Sequence, residues 1–145
     1  MALDKERKEI LSELSKTEIN RQTALTALLF RFPFPGPWGK ELTEASHELA
    51  SDIANEHGLV WKIWLEGREA HHAGGIYLFE GAAAAERYRE KHERRLSAMG
   101  FAGVTANTFS VNTELSVLTM AGAALGQARA SKSASTARVA TPAWR

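Results

Sequence analysis

Histidines are the first residues to consider for chemistry in this sequence, because an imidazole can act as an acid, a base or a metal ligand and the chain contains no cysteine. The five are His47, His57, His71, His72 and His92. None is spaced with an acid as in the His-Glu-x-x-His metal pattern, and neighbouring side chains such as His71 and His72 point apart. The lack of cysteine also excludes disulfides, thiolate metal sites and cysteine nucleophiles. The sequence therefore predicts no metal site, and it contains neither a phosphate-binding glycine loop nor a Gly-x-Ser-x-Gly elbow.

His92 is the most informative histidine because it lies on the apolar stripe of a predicted helix. Ala85, Tyr88, His92, Leu96 and Met99 follow one another at spacings of three and four residues, which places them on one helix face. A titratable ring would therefore face the sheet. A hydrogen-bonded core histidine without a function is the plain alternative.

Aromatic residues elsewhere in the chain would complete a pocket around this histidine. They are Trp38, Trp61, Trp64, Tyr77 and Phe109. A gap between helix and sheet that is lined by aromatic rings and a few polar groups suits a flat apolar ligand. Asn107 shares a strand face with Phe109, and Arg95 flanks the histidine stripe, so either could hold a ligand oxygen. Ordinary packing of the rings and satisfaction of backbone groups are the alternatives.

These residues would be positioned by elements in the order β-α-β-β-α-β. The predicted strands are residues 23–34, 59–66, 76–79 and 104–111, and the predicted helices are residues 40–57 and 82–99. Three prolines between Pro33 and Pro37 end the first strand, and Gly58 and Gly100 end the helices. The order is the ferredoxin-like α+β pattern, a four-stranded antiparallel sheet with two helices on one face. A short helix is expected within residues 112–126.

Large apolar residues occupy both faces of this predicted sheet. Strand alternation places Trp61, Ile63 and Leu65 on one face and Val60 and Trp64 on the other. Two helices can cover only one face, so the second must meet something else. The sequence therefore predicts a homodimer that forms through the face away from the helices.

Residues 67–75 are predicted to form a polar loop that is too long for a tight hairpin. The loop joins the two most aromatic strands, so it should hang over one end of a pocket between them. His71 and His72 would enter with it, one pointing inward and one outward. We interpret this loop as a lid that excludes water and brings an imidazole to the ligand. An ordinary solvated hairpin loop is the alternative.

Composition divides the chain into three segments: an amphipathic helix in residues 1–22, a ferredoxin-like domain in residues 23–120, and an Ala/Ser-rich tail in residues 121–145. The helix carries few apolar residues, so it should need a docking partner unless it frays. The tail is predicted to be disordered after Gln127, with a basic arm that binds anionic partners as the alternative.

Charge and hydropathy exclude several classes of protein. Residues 121–145 carry four basic groups and no acid, so the overall net charge of +1 leaves the rest of the chain mildly acidic, at −3. That sign argues against a nucleic-acid surface. The apolar runs are far too short to cross a bilayer, and no apolar stretch follows Met1 as in a secretory signal. We therefore expect a cytoplasmic protein without a membrane or nucleic-acid partner.

A longer motif is more specific than any single residue. It consists of Trp61-Lys62-Ile63-Trp64, Glu66, His71 and Ala73-Gly74-Gly75-Ile76-Tyr77-Leu78-Phe79. Supporting pieces are Phe34-Pro35-Gly36-Pro37-Trp38-Gly39, Tyr88 with Lys91-His92 and Arg95-Leu96, and Phe109-Ser110-Val111-Asn112 with Leu115-Ser116. In this order, over roughly residues 24–120, they resemble the YdhR-like family of mono-oxygenases.

The resemblance implies a dimeric α+β barrel, similar in fold to cofactor-independent mono-oxygenases of antibiotic biosynthesis that oxidise phenolic or anthrone-like aromatics. It implies a homodimer that oxygenates a small aromatic compound with O2 and needs no flavin, haem or metal. His92 or His71 would be the base, since imidazole titrates near neutral pH, and the motif favours His71 over His72 as the inward ring. Tyr77, Asn107 and Arg95 would donate hydrogen bonds to a substrate anion, and the walls would be Trp38, Trp61, Trp64 and Phe109.

Two other functions stay open at this point. A protein of the same fold could bind or carry a small apolar ligand without catalysis. A structural or regulatory protein could use the N-terminal helix to dock on another enzyme. That helix and the basic tail both lie outside the family resemblance.

Overall fold

The computed structural model describes residues 2–126, and the chain divides into two units, Met1–Ser110 and Val111–Arg145. The elements of the first unit are α1 (Ala2–Thr23), β1 (Thr26–Pro33), α2 (Gly39–Ala45), α3 (His47–Ala54), β2 (Leu59–Gly67), β3 (His72–Phe79), α4 (Ala82–Ala98) and β4 (Thr105–Ser110). The described part of the second unit contains α5 (Thr113–Leu118). The tail that the sequence predicts to be disordered lies outside the described residues.

The four strands form one antiparallel sheet in the order β2-β3-β1-β4. Each central strand thus pairs with a neighbour that is distant in sequence, as the ferredoxin-like pattern requires. The predicted α+β fold class is confirmed, together with the additional N-terminal helix.

The core lies between one face of the sheet and the helices α3 and α4. Its largest side chains are at most 2% exposed, and they are Leu28, Phe30, Ile53, Tyr77, Phe79, Tyr88 and Leu96. The strand residues among them alternate along β1 and β3, so all of them point toward the helices. Each fully buried large side chain contributes about 2 kcal/mol of hydrophobic free energy.

The first predicted helix, residues 40–57, is in fact two helices with Ser46 between them. Ser46 has a ψ of 4°, whereas an α-helix has a ψ near −42°. Hydrogen bonds still run through the bend, because Ser46 N donates to Leu42 O at 2.9 Å and Ala50 N donates to Ser46 O at 2.8 Å. The bend lets α3 bury Ile53 in the core, whereas α2 buries no residue completely.

The prediction of a long loop over residues 67–75 is wrong. β2 continues to Gly67 and β3 begins at His72, and these two residues pair directly. Only residues 68–71 form the turn, so β2 and β3 make a short hairpin rather than a lid. His71 lies in this turn with a φ of 53°, is exposed, and accepts a hydrogen bond on its carbonyl oxygen from Phe34 N at 2.8 Å.

The opposite face of the sheet also carries apolar side chains, as the sequence predicts. The register aligns Ile63, Ile76 and Leu29 in one row and Trp61, Leu78, Ala27 and Phe109 in the next. Ile63 is 50% exposed and Phe109 is 55% exposed. Helices α3 and α4 contact the other side of the sheet, whereas Leu78 on this face is only 2% exposed.

The apolar residues in the first part of α1 do not contribute to the core. Leu3, Ile10, Leu11 and Leu14 are between 60% and 78% exposed. The docking partner that the sequence predicts for this helix therefore stays a prediction. Within residues 2–126, no helix combines the length and the apolar character needed to cross a membrane.

Candidate functional site

A cavity of about 300 Å³ lies between the sheet and the helices α2, α3 and α4. Strands and their connections supply Phe30, Phe32, Phe34, Gly36, Pro37, Lys62, Trp64, Leu65, Ala73, Gly74 and Tyr77. The helices and the segment after α4 supply Leu42, Ala45, Ser46, Leu49, His92, Leu96, Met99 and Phe101. The walls are thus mainly aromatic and aliphatic, with few polar groups, which is typical of a site for a small organic ligand.

Three phenylalanines at alternate positions form much of the wall. Phe30 and Phe32 are inward residues of β1, and Phe34 continues the alternation beyond the strand. Phe101 closes the end of the wall, with its ring centroid 5.0 Å from that of Phe32 and 5.7 Å from that of Phe34. Such tilted and edge-to-face contacts hold the rings in fixed orientations.

Lys62 brings a basic amine to the cavity. It lies on β2 at an inward position opposite Tyr77, and its Nζ atom is 3.4 Å from the ring centroid of Trp64 and 4.7 Å from that of Tyr77. Cation–π contacts of this kind stabilise the charged form, but burial of the amine opposes it. Burial, reinforced by the positive charge of Arg95, lowers the pKa of Lys62 from 10.5 to about 7.

His92 is 2% exposed and is held by Arg95, three residues later on α4. The Nε atom of Arg95 donates to His92 Nδ1 at 3.1 Å, and the Nη2 atom lies 3.0 Å from the same nitrogen. Because a guanidinium only donates, Nδ1 must accept, and the ring hydrogen is on Nε2. Burial and the charges of Lys62 and Arg95 lower the pKa of His92 to about 3, so the ring is neutral at physiological pH.

A second hydrogen-bonded chain runs beside this pair. Arg95 Nη1 binds Asp52 Oδ2 at 2.8 Å, and its Nη2 donates to the hydroxyl of Tyr88 at 3.5 Å. Tyr88 in turn donates to the hydroxyl of Tyr77 at 3.1 Å. Burial raises the pKa of Tyr88 to about 12 and raises that of Tyr77 further still, so both phenols stay protonated. Tyr77, at the end of this chain, also lines the cavity.

Three of the sequence-predicted site residues meet at this cavity, namely His92, Trp64 and Tyr77. Arg95 does not line it but supports His92 from behind. Trp38 also stands outside the lining and packs edge-on against Phe34, at 5.2 Å between ring centroids.

The structure does not bring the other predicted residues to the cavity. Three of them lie on the opposite face of the sheet, namely Trp61, Asn107 and Phe109. Leu28 and Phe30 of β1 face the helices, so Ala27 and Leu29 face away from them. Phe109 pairs with Ala27, Asn107 pairs with Leu29, and Trp61 is in the same row as Ala27. His71 sits in the exposed hairpin turn. His72 directs Nδ1–H to the carbonyl oxygen of Ala70 at 2.7 Å. His47 and His57 are exposed, as the sequence predicts.

Lys62 and the phenylalanine wall are the site residues that sequence reasoning missed. Lys62 is two residues before Trp64 on β2, so strand alternation places both side chains on the same, inward face of the sheet. The spacing of Phe30, Phe32 and Phe34 carries the same signal. Residue type alone points to neither, because lysine is normally solvated and phenylalanine is normally part of the core.

Metal chemistry has no evident centre in the described part of the chain. Within residues 2–126, no group of three or more His, Asp or Glu side chains is placed to hold a metal ion. The polar groups at the cavity are an amine, an imidazole, a phenol and the hydroxyl of Ser46.

Comparison with known proteins was made for sequence and for structure. No curated protein matches the sequence. Among solved structures, the chain is similar to a mutant of SnoaB, a cofactor-independent oxygenase from Streptomyces nogalater. The two share 17% sequence identity with a TM-score of 0.46, over 61% of this chain and 94% of that chain. The family model described as "Putative mono-oxygenase ydhR" matches residues 27–122, well over half of the sequence. The chain therefore belongs to the YdhR mono-oxygenase family.

Proposed function

We propose that this protein is a cofactor-independent mono-oxygenase that acts on a small aromatic or phenolic compound with O2. The observation that carries the proposal is the cavity itself. Its walls are mainly aromatic and aliphatic, and its few polar groups include the buried amine of Lys62 and the hydrogen-bonding groups of His92 and Tyr77. These are the groups needed to bind a flat aromatic molecule and to stabilise a negative charge on its oxygen.

The size of the cavity supports an aromatic substrate of more than one ring. A volume of roughly 150 Å³ accommodates one benzene molecule. The cavity of about 300 Å³ would therefore accept two or three fused rings. One face of such a molecule would lie against Trp64, and its edge would contact Phe32 and Phe101.

The chemistry needs no external reductant if the substrate itself supplies the electrons. An anthrone-like substrate carries an acidic methylene group between aromatic rings. Loss of one proton gives a carbanion, which adds O2 to form a C–O bond and a peroxide. Protonation of the peroxide and loss of the second C–H proton break the O–O bond and give a ketone and water. One methylene group and one O2 molecule thus give one carbonyl group and one water molecule, with the carbon oxidised and O2 reduced.

His92 and Tyr77 line the cavity and could each offer a hydrogen to the developing anion. His92 carries its hydrogen on Nε2, and its low pKa makes it a poor base. Tyr77 keeps its hydroxyl hydrogen because its pKa is raised by burial. We therefore propose that both stabilise a substrate oxyanion, in place of the base role that the sequence suggested for His92. Arg95 would fix the orientation of the imidazole.

The assembly we propose is a cytoplasmic homodimer formed through the sheet face that carries Ile63 and Phe109. Both side chains are half exposed in the single chain. Exposed apolar surface of this kind on a sheet is typical of a protein interface. On this proposal, Trp61, Asn107 and Phe109 contribute to the interface rather than to the ligand site.

The second candidate function is binding of a small apolar ligand without catalysis. The mainly apolar lining favours it, because affinity for an aromatic ring needs no proton transfer. The two functions differ in turnover: a mono-oxygenase consumes O2, whereas a carrier shows saturable binding only.

Oxygen consumption tests the proposal directly. Purified protein is mixed with anthrone, a hydroquinone or a naphthol, and O2 uptake is followed with heat-inactivated protein as the control. We expect catalysed uptake with at least one compound, and His92→Phe, which removes the Nε2 donor, should lower kcat by about tenfold to a hundredfold. Saturable binding of these probes with no uptake above the control would contradict the enzyme and leave the carrier.

A further inference from the structure

Lys62 lines the cavity, but the function proposed above assigns it no step in the reaction. Its side chain lies along the inner face of the sheet, against Trp64 and Tyr77. Gly75, the neighbour of Trp64 in the register, leaves space for it, since a Cβ atom at Gly75 would approach Lys62 Cε to 2.7 Å. The sheet thus provides a fixed place for an amine at the cavity wall.

No carboxylate shares the cavity with this amine among the residues that the structure describes. Lys62 makes no ion pair with any side chain that the structure describes. The groups that face it are the neutral ring of His92 and the guanidinium of Arg95 on α4, and the protonated phenol of Tyr77 on β3. Asp52, the acid that joins this network, is already bound to Arg95 at 2.8 Å.

This arrangement destabilises the ammonium form. A lysine that is desolvated and faced by another cation loses its proton more readily than one in water. The lowered pKa of Lys62, about 7, agrees with the geometry and leaves a substantial fraction of neutral amine at physiological pH. An amine with a pKa near the working pH is well matched to general-base catalysis.

We propose that the neutral amine of Lys62 takes the proton from the aromatic ligand in the cavity, as a further catalytic residue. The ligand's O–H or activated C–H bond breaks, its electron pair stays on the ligand, and a new N–H bond forms. In the oxygenation, the resulting ammonium returns that proton to the peroxide. The amine then takes the second C–H proton as the O–O bond breaks, and it gives this proton to the departing hydroxide, which leaves as water. The oxygenation rests on the proposed function, whereas the first proton transfer requires only a bound acidic aromatic compound.

His92 is the weaker candidate for this step. Its Nδ1 lone pair already accepts from Arg95, and its Nε2 carries a hydrogen. To act as a base it would have to break the contact between Nδ1 and Arg95, and the ring would then become a cation beside that guanidinium. The amine of Lys62 has a free lone pair when neutral and no bond to break.

Three variants separate a base from a simple positive charge. Lys62→Met keeps the apolar stem and removes the amine, whereas Lys62→Arg keeps a cation that does not deprotonate near neutral pH. Lys40→Met is the matched control, because the Lys40 side chain is 90% exposed on α2. All three are compared for anthrone-dependent O2 uptake and for binding of anthraquinone, followed by tryptophan fluorescence.

We expect Lys62→Met and Lys62→Arg to lower kcat by at least about a hundredfold, while anthraquinone binding changes only a few fold. In the unchanged protein, kcat/KM should rise with pH to a plateau with a midpoint near 7, and this limb should vanish in Lys62→Met. Lys40→Met should behave as the unchanged protein. Turnover retained in Lys62→Arg would overturn the proposal, since a permanent cation would then suffice.

A readout without turnover distinguishes failure of this inference from failure of the proposed function. Lysine amines are labelled by reductive methylation with carbon-13, and the Lys62 signal is identified by its loss in Lys62→Met. We expect a titration midpoint near 7 for this signal. We also expect yellow phenolate to form when 4-nitrophenol binds the unchanged protein but not when it binds Lys62→Met. Both results together would support Lys62 as the proton acceptor even if no O2 is consumed. A midpoint near 10, the ordinary value for lysine, would overturn it regardless of activity.

Discussion

The guanidinium of Arg95 lies against Nδ1 of His92 inside a pocket that excludes water from the imidazole. The folded chain therefore resists protonation of this ring, and its pKa is lowered from 6.5 to about 3. In the unfolded chain the ring would titrate normally. Between about pH 6.5 and pH 3 the unfolded state thus binds one more proton at His92 than the folded state, so folding stability falls as the pH falls through this window.

This linkage predicts that His92→Asn makes the protein less sensitive to acid. The Asn oxygen can still accept from Arg95, but the side chain does not titrate. Below about pH 6.5, protonation of His92 in the unfolded state should lower the free energy of unfolding of the unchanged protein by on the order of 1 kcal/mol per pH unit. The variant lacks this contribution, so its stability should fall less with pH. Urea unfolding at about pH 7.5 and about pH 5, followed by tryptophan fluorescence, measures the difference.

His57→Asn serves as the control for this experiment, because His57 is exposed. It should show the acid sensitivity of the unchanged protein. An equal stability gap between the unchanged protein and His92→Asn at both pH values would contradict the assigned neutral state of His92.

Close packing of backbones is the main feature of the β2–β3–β1 part of the sheet. Gly74 lies opposite Arg31, and a Cβ atom at this position would stand 2.0 Å from the carbonyl oxygen of Phe30. No side-chain rotation can relieve a clash with backbone. The two adjacent glycines therefore belong to the strand itself, where they let β1 approach β3 and leave room for Lys62.

We predict that Gly74→Ala destabilises the protein by about 3 kcal/mol. Gly67→Ala on β2 is the matched control, since its nearest atom would be His72 O at 3.2 Å, and it should cost about 1 kcal/mol or less. Thermal unfolding by circular dichroism compares the two. Equal melting temperatures would show that β1 and β3 can separate to admit a side chain.

Periodicity is enough to predict most of the elements but not this hairpin. Alternating apolar residues and helix-ending glycines locate all four strands and α4 to within a few residues. By propensity alone, Gly74 and Gly75 indicate a loop. In the structure they lie within β3, where the lack of a side chain lets the neighbouring strand approach, and local sequence does not reveal that neighbour. The bend at Ser46 is missed for the same reason, since it depends on where Ile53 must be buried.

The candidate site could be predicted only in part. The helical spacing of His92 and the strand alternation of Trp64 and Tyr77 direct these three side chains to the side of the sheet where the cavity lies. Aromatic character alone favours Trp61 and Phe109 for the pocket as well, although strand alternation directs Trp61 and Trp64 to opposite faces of the sheet. The protonation states could not be predicted at all, because they follow from burial and from the approach of Arg95 to His92 and Lys62.

At the scale of the whole molecule, the two faces of the sheet differ in what lies against them. The helix face encloses the cavity, and the other face presents Ile63 and Phe109 to solvent in the single chain. Association through that face would leave the ligand site untouched. The proposed dimer can therefore be tested without disturbing the chemistry.

We predict that Phe109→Glu converts the dimer into a monomer. Phe109 is already 55% exposed within the chain, so a charge there should not unfold it, but a charge buried between two sheets is costly. Light scattering should give about twice 15.9 kDa for the unchanged protein and about 15.9 kDa for the variant. Ala83→Glu, on the exposed start of α4, introduces the same charge elsewhere and should stay dimeric. A mass of one chain for the unchanged protein would contradict the dimer.

Every residue that lines the cavity lies between Phe30 and Phe101 of a single polypeptide. Two copies joined through their sheets would thus carry two self-sufficient centres with no shared wall. Saturation by ligand should then be hyperbolic, with a Hill coefficient of about 1 and one molecule bound per chain. A mixed dimer of one unchanged subunit and one Lys62→Met subunit should retain half of the turnover, because neither centre depends on the other for any of its lining groups.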